Sequence, residues 1–168
     1  MTVPLTGQQY EIGAGRYRAT VTELGAGLRE LLRLPAARWL PVDGRGIPSG
    51  PPAAVEGTPY DFRKPRAIGT ARLDHALTEL DWDGDGRAWA CLAGDGGAGA
   101  RVGLWAGEGY RWLQVFTGDS LGPDRRRKAV AVEPMTCPPN AFVTAHDLLV
   151  LEPGEAVTHA WGIQALSG

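Results

Sequence analysis

Short runs in which apolar and polar residues alternate recur along this chain, each broken by glycine, proline or aspartate. A period of two places successive side chains on opposite faces of a strand. The runs therefore predict strands at Gln9 to Ile12, Tyr17 to Leu24, Gly27 to Leu32, Trp39 to Val42, Ala76 to Leu80, Arg87 to Leu92, Ala100 to Trp105, Trp112 to Thr117, Ala129 to Glu133 and Ala156 to Ala165. Helix signals are scarce, and 24 Gly and 13 Pro punctuate the runs, so the fold class is all-β. Clusters such as DWDGDG, GDGGAG and PDRRR carry the residues that tight reversals require. DWDGDGR also resembles a calcium loop, but it lacks the closing acidic ligand of a twelve-residue loop, and a hairpin turn is the better reading.

One stretch breaks the pattern. Pro35 to Gly69 is rich in proline yet contains Trp39, Val42, Ile47, Val55, Tyr60, Phe62 and Ile68. A disordered connector would hold fewer aromatic residues, so this segment reads as an ordered excursion packed over a sheet, of the kind that shapes binding sites.

At 168 residues the chain is the size of one domain. Its 17 basic and 19 acidic residues give a net charge of -2, which argues against nucleic acid or an anionic membrane as the partner. The only basic run, Arg125-Arg126-Arg127-Lys128, reads as a solvated loop before a strand. Two cysteines, Cys91 and Cys137, are too few and too far apart for a zinc motif or a disulfide framework. With neither a signal-like N-terminus nor an apolar run long enough to span a bilayer, a reducing cytoplasmic location is the expectation.

Four places carry candidate chemistry. Glu133 follows the apolar run Ala129-Val130-Ala131-Val132 and precedes a proline, where it is either a site carboxylate or a sheet-rim acid. Asp74 stands before the strand from Ala76 and reads equally as a turn residue. Trp112, Gln114 and Phe116 alternate on one strand and share a face, either as an aromatic platform for a sugar or as core. Asn140, after a double proline, offers an amide to a ligand hydroxyl or caps a turn.

Read together, YRATVTELGAGLREL, RWLPVDGRGIPSG, VEGTPYDFR, LDHALTELDWDGDGRA, WLQVFTGD, AVEPMTCPPNAF and LEPGEAVTHAWGI resemble the aldose 1-epimerase (galactose mutarotase) family, in the family's order and over nearly the whole chain. The resemblance implies a β-sandwich of the large supersandwich kind, with a sugar site on an open sheet face. It implies interconversion of the α and β anomers of an aldohexose, with no cofactor and no metal. That reaction needs a base for the C1 hydroxyl proton and an acid for the ring oxygen. The resemblance assigns the base to Glu133 and hydroxyl-accepting contacts to Asp74, with Trp112, Gln114 and Asn140 as further substrate-binding candidates.

The chain also departs from the family. Between ELGAGLRELL and RLPAARWLPVD a usual member carries a long middle section, which holds an arginine and two histidines, one of them the general acid. Here the two motifs join at Leu32-Arg33, as if one domain had lost an internal segment. The remaining histidines are His75, His146 and His159. His75 neighbours Asp74 and, on a strand, points to the opposite face. Two readings follow: an enzyme whose acid is water or a rearranged histidine, or a carbohydrate-binding module that no longer catalyses. Loss of the section is also expected to leave open strand edges, so that the chain pairs as a homodimer or aggregates.

Overall fold

The computed structural model describes residues 9–14, 17–22, 31–94 and 101–166. Residues 23–30, which include most of the expected strand from Gly27, lie outside these. Strands β1 (Gln9–Ala14) and β2 (Tyr17–Thr22) form an antiparallel hairpin. The other ten strands are β3 (Leu31–Arg33), β4 (Ala36–Trp39), β5 (Ala53–Ala54), β6 (Arg66–Ala67), β7 (Asp74–Leu80), β8 (Arg87–Ala93), β9 (Arg101–Gly107), β10 (Trp112–Phe116), β11 (Ala131–Met135) and β12 (Trp161–Leu166). They make two antiparallel five-stranded sheets, in the orders β11-β10-β7-β4-β5 and β12-β9-β8-β3-β6. One short helix, α1 (Ala141–Thr144), completes the described elements, and no helix among them is long and apolar enough to cross a membrane.

The alternation seen in the sequence decides which side chains meet between the sheets. Leu113 and Val115 of β10, Leu77 of β7, and Ala88, Ala90 and Ala106 of the second sheet are buried in one apolar cluster. Leu32 and Arg33, where the two sequence motifs meet, both lie inside β3, and the chain then crosses from one sheet to the other through buried Leu34 and Pro35.

The proline-rich excursion is ordered, as its aromatic content implied. It adds β5 to the end of one sheet and β6 to the same end of the other, and buries Val55, Phe62 and Ile68 between them. Trp39, Tyr60 and His75 pack ring against ring, with centroids 4.3 to 5.1 Å apart, and so join excursion to sheet. One flank of the sandwich is thereby closed. The other flank ends in β11 and β12, each with a neighbour on one side only among the described residues.

Several boundaries differ from the periodicity. β7 begins at Asp74 rather than Ala76, so Asp74 is a strand residue and not a turn residue. The strand expected at Trp39 to Val42 ends at Trp39, and Val42 instead makes an isolated bridge to Pro48 in a turn tied by Asp43. The final strand begins at Trp161 rather than Ala156. The strand expected to end at Glu133 continues to Met135, because β11 is an edge strand and the N–H that Pro134 lacks costs the ladder least there. DWDGDGR is a turn, as its composition implied, but not a hairpin: β7 and β8 belong to different sheets, so it carries the chain from one to the other. The Asp83 carboxylate holds it by accepting from the backbone of Asp85 and Arg87 and from the Trp89 indole, at 2.7 to 2.9 Å.

Two outcomes are expected of this core. Leu113→Ala removes a fully buried side chain beneath the open face and should lower unfolding free energy by about 2–5 kcal/mol in a denaturant titration. Burial holds the His75 imidazole below its ordinary value, against the opposing pull of Asp74. The unfolded chain therefore binds more protons below the ordinary histidine value of about 6.5. Stability should be complete above that pH and decline as pH falls through the window beneath it. His75→Phe, which keeps a ring against Trp39 and Tyr60, should flatten that decline in thermal unfolding measured across pH.

Candidate functional site on the open sheet face

Strand β10 has two faces with different fates. Its neighbours are in register with Gln114 opposite Ala76 on one side and Glu133 on the other. Directly opposed residues point to the same face of a sheet. Asp74, Ala76, Trp112, Gln114, Phe116, Glu133 and Met135 therefore share the face turned away from the core, while His75, Leu77, Leu113, Val115 and Val132 take the other. The structure thus brings four of the five candidate residues, Glu133, Asp74, Trp112 and Gln114, onto one surface and turns His75 away from it.

The centre of that surface is a row of polar groups. Gln114 Nε2 donates to Asp74 Oδ1 at 2.9 Å, which leaves Gln114 Oε1 facing elsewhere. That oxygen is shielded from solvent and has no hydrogen-bond partner. Glu133 completes the row across the strand pair, with its side chain exposed.

Asp74 is held in place by its predecessor. Leu73 N–H donates to Thr117 Oγ1 at 3.0 Å, and Thr117 N–H donates to the Leu73 carbonyl at 2.9 Å, so the ends of β7 and β10 are locked together. Thr117 is fully buried and its hydroxyl also reaches the Asp119 carboxylate. Burial alone would raise Asp119, but the Thr117 hydroxyl and the Arg127 guanidinium outweigh it and hold the carboxyl below its usual range. Arg127 bonds Asp119 at 2.8 Å and the carbonyls of Ala71 and Gly69 at 3.0 and 2.6 Å. One residue of the basic run is therefore an internal staple rather than part of a solvated loop.

Beside the polar row lies an apolar floor of Leu40, Ala76, Trp112 and Met135. Trp112 is only 1% exposed although it lies on the outward face, because the chain after β11 folds back over it. Its indole N–H donates to Asp147 Oδ2 at 2.8 Å, and the His146 ring stands edge-on to it with centroids 5.7 Å apart. Arg111 Nη1 reaches Asp147 Oδ1 at 3.3 Å. Ala145 and Asp147 both adopt positive φ, 57° and 50°, so the turn that sets Asp147 over Trp112 is a strained one.

Asn140 belongs to this returning segment. It occupies the position before α1 at φ 66°, but its side chain makes no capping bond; its backbone carbonyl takes the Val143 and Thr144 amides instead. It lines a shallow cleft with Tyr110, Met135, Cys137, Pro139 and Phe142, next to the open face. His159 packs on Gly109 and the Tyr110 ring. Periodicity could not have found Asp147 or His146, because both lie in a loop and are placed by tertiary contacts to Trp112. No group of three or more His, Cys, Asp or Glu residues capable of holding a metal ion occurs among the described residues.

Comparison with known proteins agrees with this architecture. The aldose 1-epimerase family profile matches residues 26–164. Uncharacterized protein YihR of Escherichia coli strain K12 is 30% identical over 125 residues, which are 74% of this chain and 37% of YihR. The GalM/aldose epimerase homologue from C. elegans superimposes with a TM-score of 0.68 at 17% identity, over 89% of this chain and 51% of that one. Galactose 1-epimerase from Lactobacillus acidophilus NCFM gives a TM-score of 0.50 at 23% identity, over 69% of this chain and 39% of that one. The chain thus spans little more than a third of YihR and about half of the C. elegans homologue. The fold is the galactose mutarotase-like sandwich, and the chain belongs to the aldose 1-epimerase family.

Proposed function

We propose that this protein binds an aldohexose on the open face and interconverts its α and β anomers, with Glu133 as the general base. The observation that carries the reading is the row Asp74, Gln114, Glu133 on the outward face, in which the Asp74 and Glu133 side chains are exposed and the Gln114 amide holds the Asp74 carboxylate. A pyranose presents hydroxyl donors at its rim and C–H groups on its faces. The polar row suits the first, and partly exposed Met135 beside it suits the second, whereas Trp112, Leu40 and Ala76 are covered and support the row from beneath.

Glu133 takes the proton of the C1 hydroxyl, and the bond from C1 to the ring oxygen breaks as that oxygen gains a proton. Rotation about C1–C2 then lets the ring close on the other face, and the two proton transfers reverse. Asp74 accepts a sugar hydroxyl while its other contact, the Gln114 amide, keeps the carboxylate aimed along the sheet. Asn140 offers its amide from the neighbouring cleft wall. The ring-oxygen proton comes from water or from His146, whose ring stands over Trp112 on this same face.

An NMR assay that follows equilibration of freshly dissolved α-glucose and α-galactose tests the reading. Acceleration above the spontaneous rate supports it. Measurable sugar binding with no acceleration shifts the protein to carbohydrate recognition alone, and the absence of both ends the assignment. Glu133→Gln keeps the shape of the side chain but cannot take the proton, so it should reduce the accelerated rate by at least about a hundredfold with the unfolding transition unchanged. An active Glu133→Gln protein removes Glu133 from the mechanism. Asp74→Ala should weaken sugar binding by about 1–3 kcal/mol in titration calorimetry through the lost charge-assisted hydrogen bonds. Equal affinity of the two proteins would take Asp74 out of the site.

A further inference from the structure

The two edge strands of the open flank are built differently. β11 carries Glu133 and Pro134, a charge and a residue without an N–H, both of which discourage another strand from pairing there. β12 reads Trp161-Gly162-Ile163-Gln164-Ala165-Leu166, with no charge and no proline. It pairs with β9 along its full length and has no second neighbour among the described residues.

The register with β9 shows which way β12 faces. Trp161, Ile163 and Ala165 lie opposite Ala106, Leu104 and Val102, and Ala106 belongs to the buried core. This row therefore continues the inner layer of the sandwich, yet Trp161 is 52%, Ile163 61% and Val102 39% exposed. The apolar layer runs past the edge of its covering sheet. Between it and Val130 and Val132 lies a cleft lined by Leu92, Val102, Leu104 and Ile163. An unblunted edge beside an uncovered apolar strip is a template for a further strand.

We propose that the occupant is β12 of a second copy, paired antiparallel about a two-fold axis at Ile163. The sequence of β12 is complementary to itself in that register. Ile163 meets Ile163 of the second copy, Trp161 meets Ala165, and Gly162 meets Gln164, so the largest side chain on the apolar face lies opposite the smallest. No like charges are brought together, because the strand has none. An axis perpendicular to the sheet keeps both apolar rows on the inner side and joins two five-stranded sheets into one of ten strands. Each copy contributes the same patch, so the assembly closes at two. A shift by one residue would set inward against outward side chains and is excluded by the pleat.

Light scattering coupled to size exclusion over a dilution series tests the pairing. The expected mass is twice 17.9 kDa at high concentration, falling to 17.9 kDa on dilution. Ile163→Lys places two ammonium groups opposite each other at the axis and should give the monomer throughout, with its far-UV circular dichroism retained. Should that variant not fold, Ile163→Cys in a background of Cys91→Ala and Cys137→Ala decides. Cα atoms of directly opposed antiparallel residues stand about 4.5–5.5 Å apart, within disulfide range. Mild oxidation should cross-link it, and an Asp85→Cys control in the exposed turn between β7 and β8 should stay uncross-linked. A wild-type mass of 17.9 kDa at every concentration overturns the proposal, and would mean that β12 is covered from within the chain or left bare. A dimer that survives Ile163→Lys, or species of steadily growing mass, overturns it as well.

Discussion

The pleat of β10 is the constraint on which the rest depends. Five residues long, it sits between β7 and β11 and sends Leu113 and Val115 into the core while Trp112, Gln114 and Phe116 face the other way. The burial that stabilises the sandwich thus also fixes the height and spacing of the polar row. Register carries the effect outward. Once Leu113 is opposite Leu77, Gln114 cannot avoid Ala76 and Glu133, and Asp74 comes within reach of the Gln114 amide. A slip of one residue would bury Gln114 and expose Leu113, a change the core cannot absorb.

Around this strand the molecule is asymmetric. On one flank the proline-rich excursion adds a short strand to each sheet and fills the gap with Val55, Phe62 and Ile68, tied down by the rings of Trp39, Tyr60 and His75. On the other flank the inner apolar layer simply continues to β12. The site lies nearer this second flank, since Glu133 sits on its outermost strand. β12 and Glu133 belong to different sheets, so the proposed strand pairing and the proposed sugar contact are physically separable.

The fold was legible because alternation is a local property: the positions of β7, β8, β9 and β10 follow from their own residues. Boundaries were less so. Pro134 reads as a strand end until β11 is known to be an edge, and that is a fact about neighbours rather than about β11. The site was legible in part for the same reason. Trp112 and Gln114 follow from one strand's period, but the union of Asp74 with Gln114 depends on pairing 40 residues apart in sequence. Asp147 over Trp112, and Arg127 drawn into the loop carbonyls, are tertiary contacts made by residues whose local patterns read only as turn and surface charge. The role proposed for Glu133 comes from the family resemblance, since its own neighbourhood, an apolar run before a proline, leaves it open.

The central claim is that the outward face of β10 receives a sugar. The most direct measurement is a two-dimensional proton–nitrogen NMR titration with galactose and glucose, following the side-chain amide of Gln114 and the indole of Trp112. Sugar held on this face should move both resonances together, with saturation at one common sugar concentration. Saturable shifts confined to other parts of the chain, with the Gln114 amide and Trp112 indole unmoved, would contradict it.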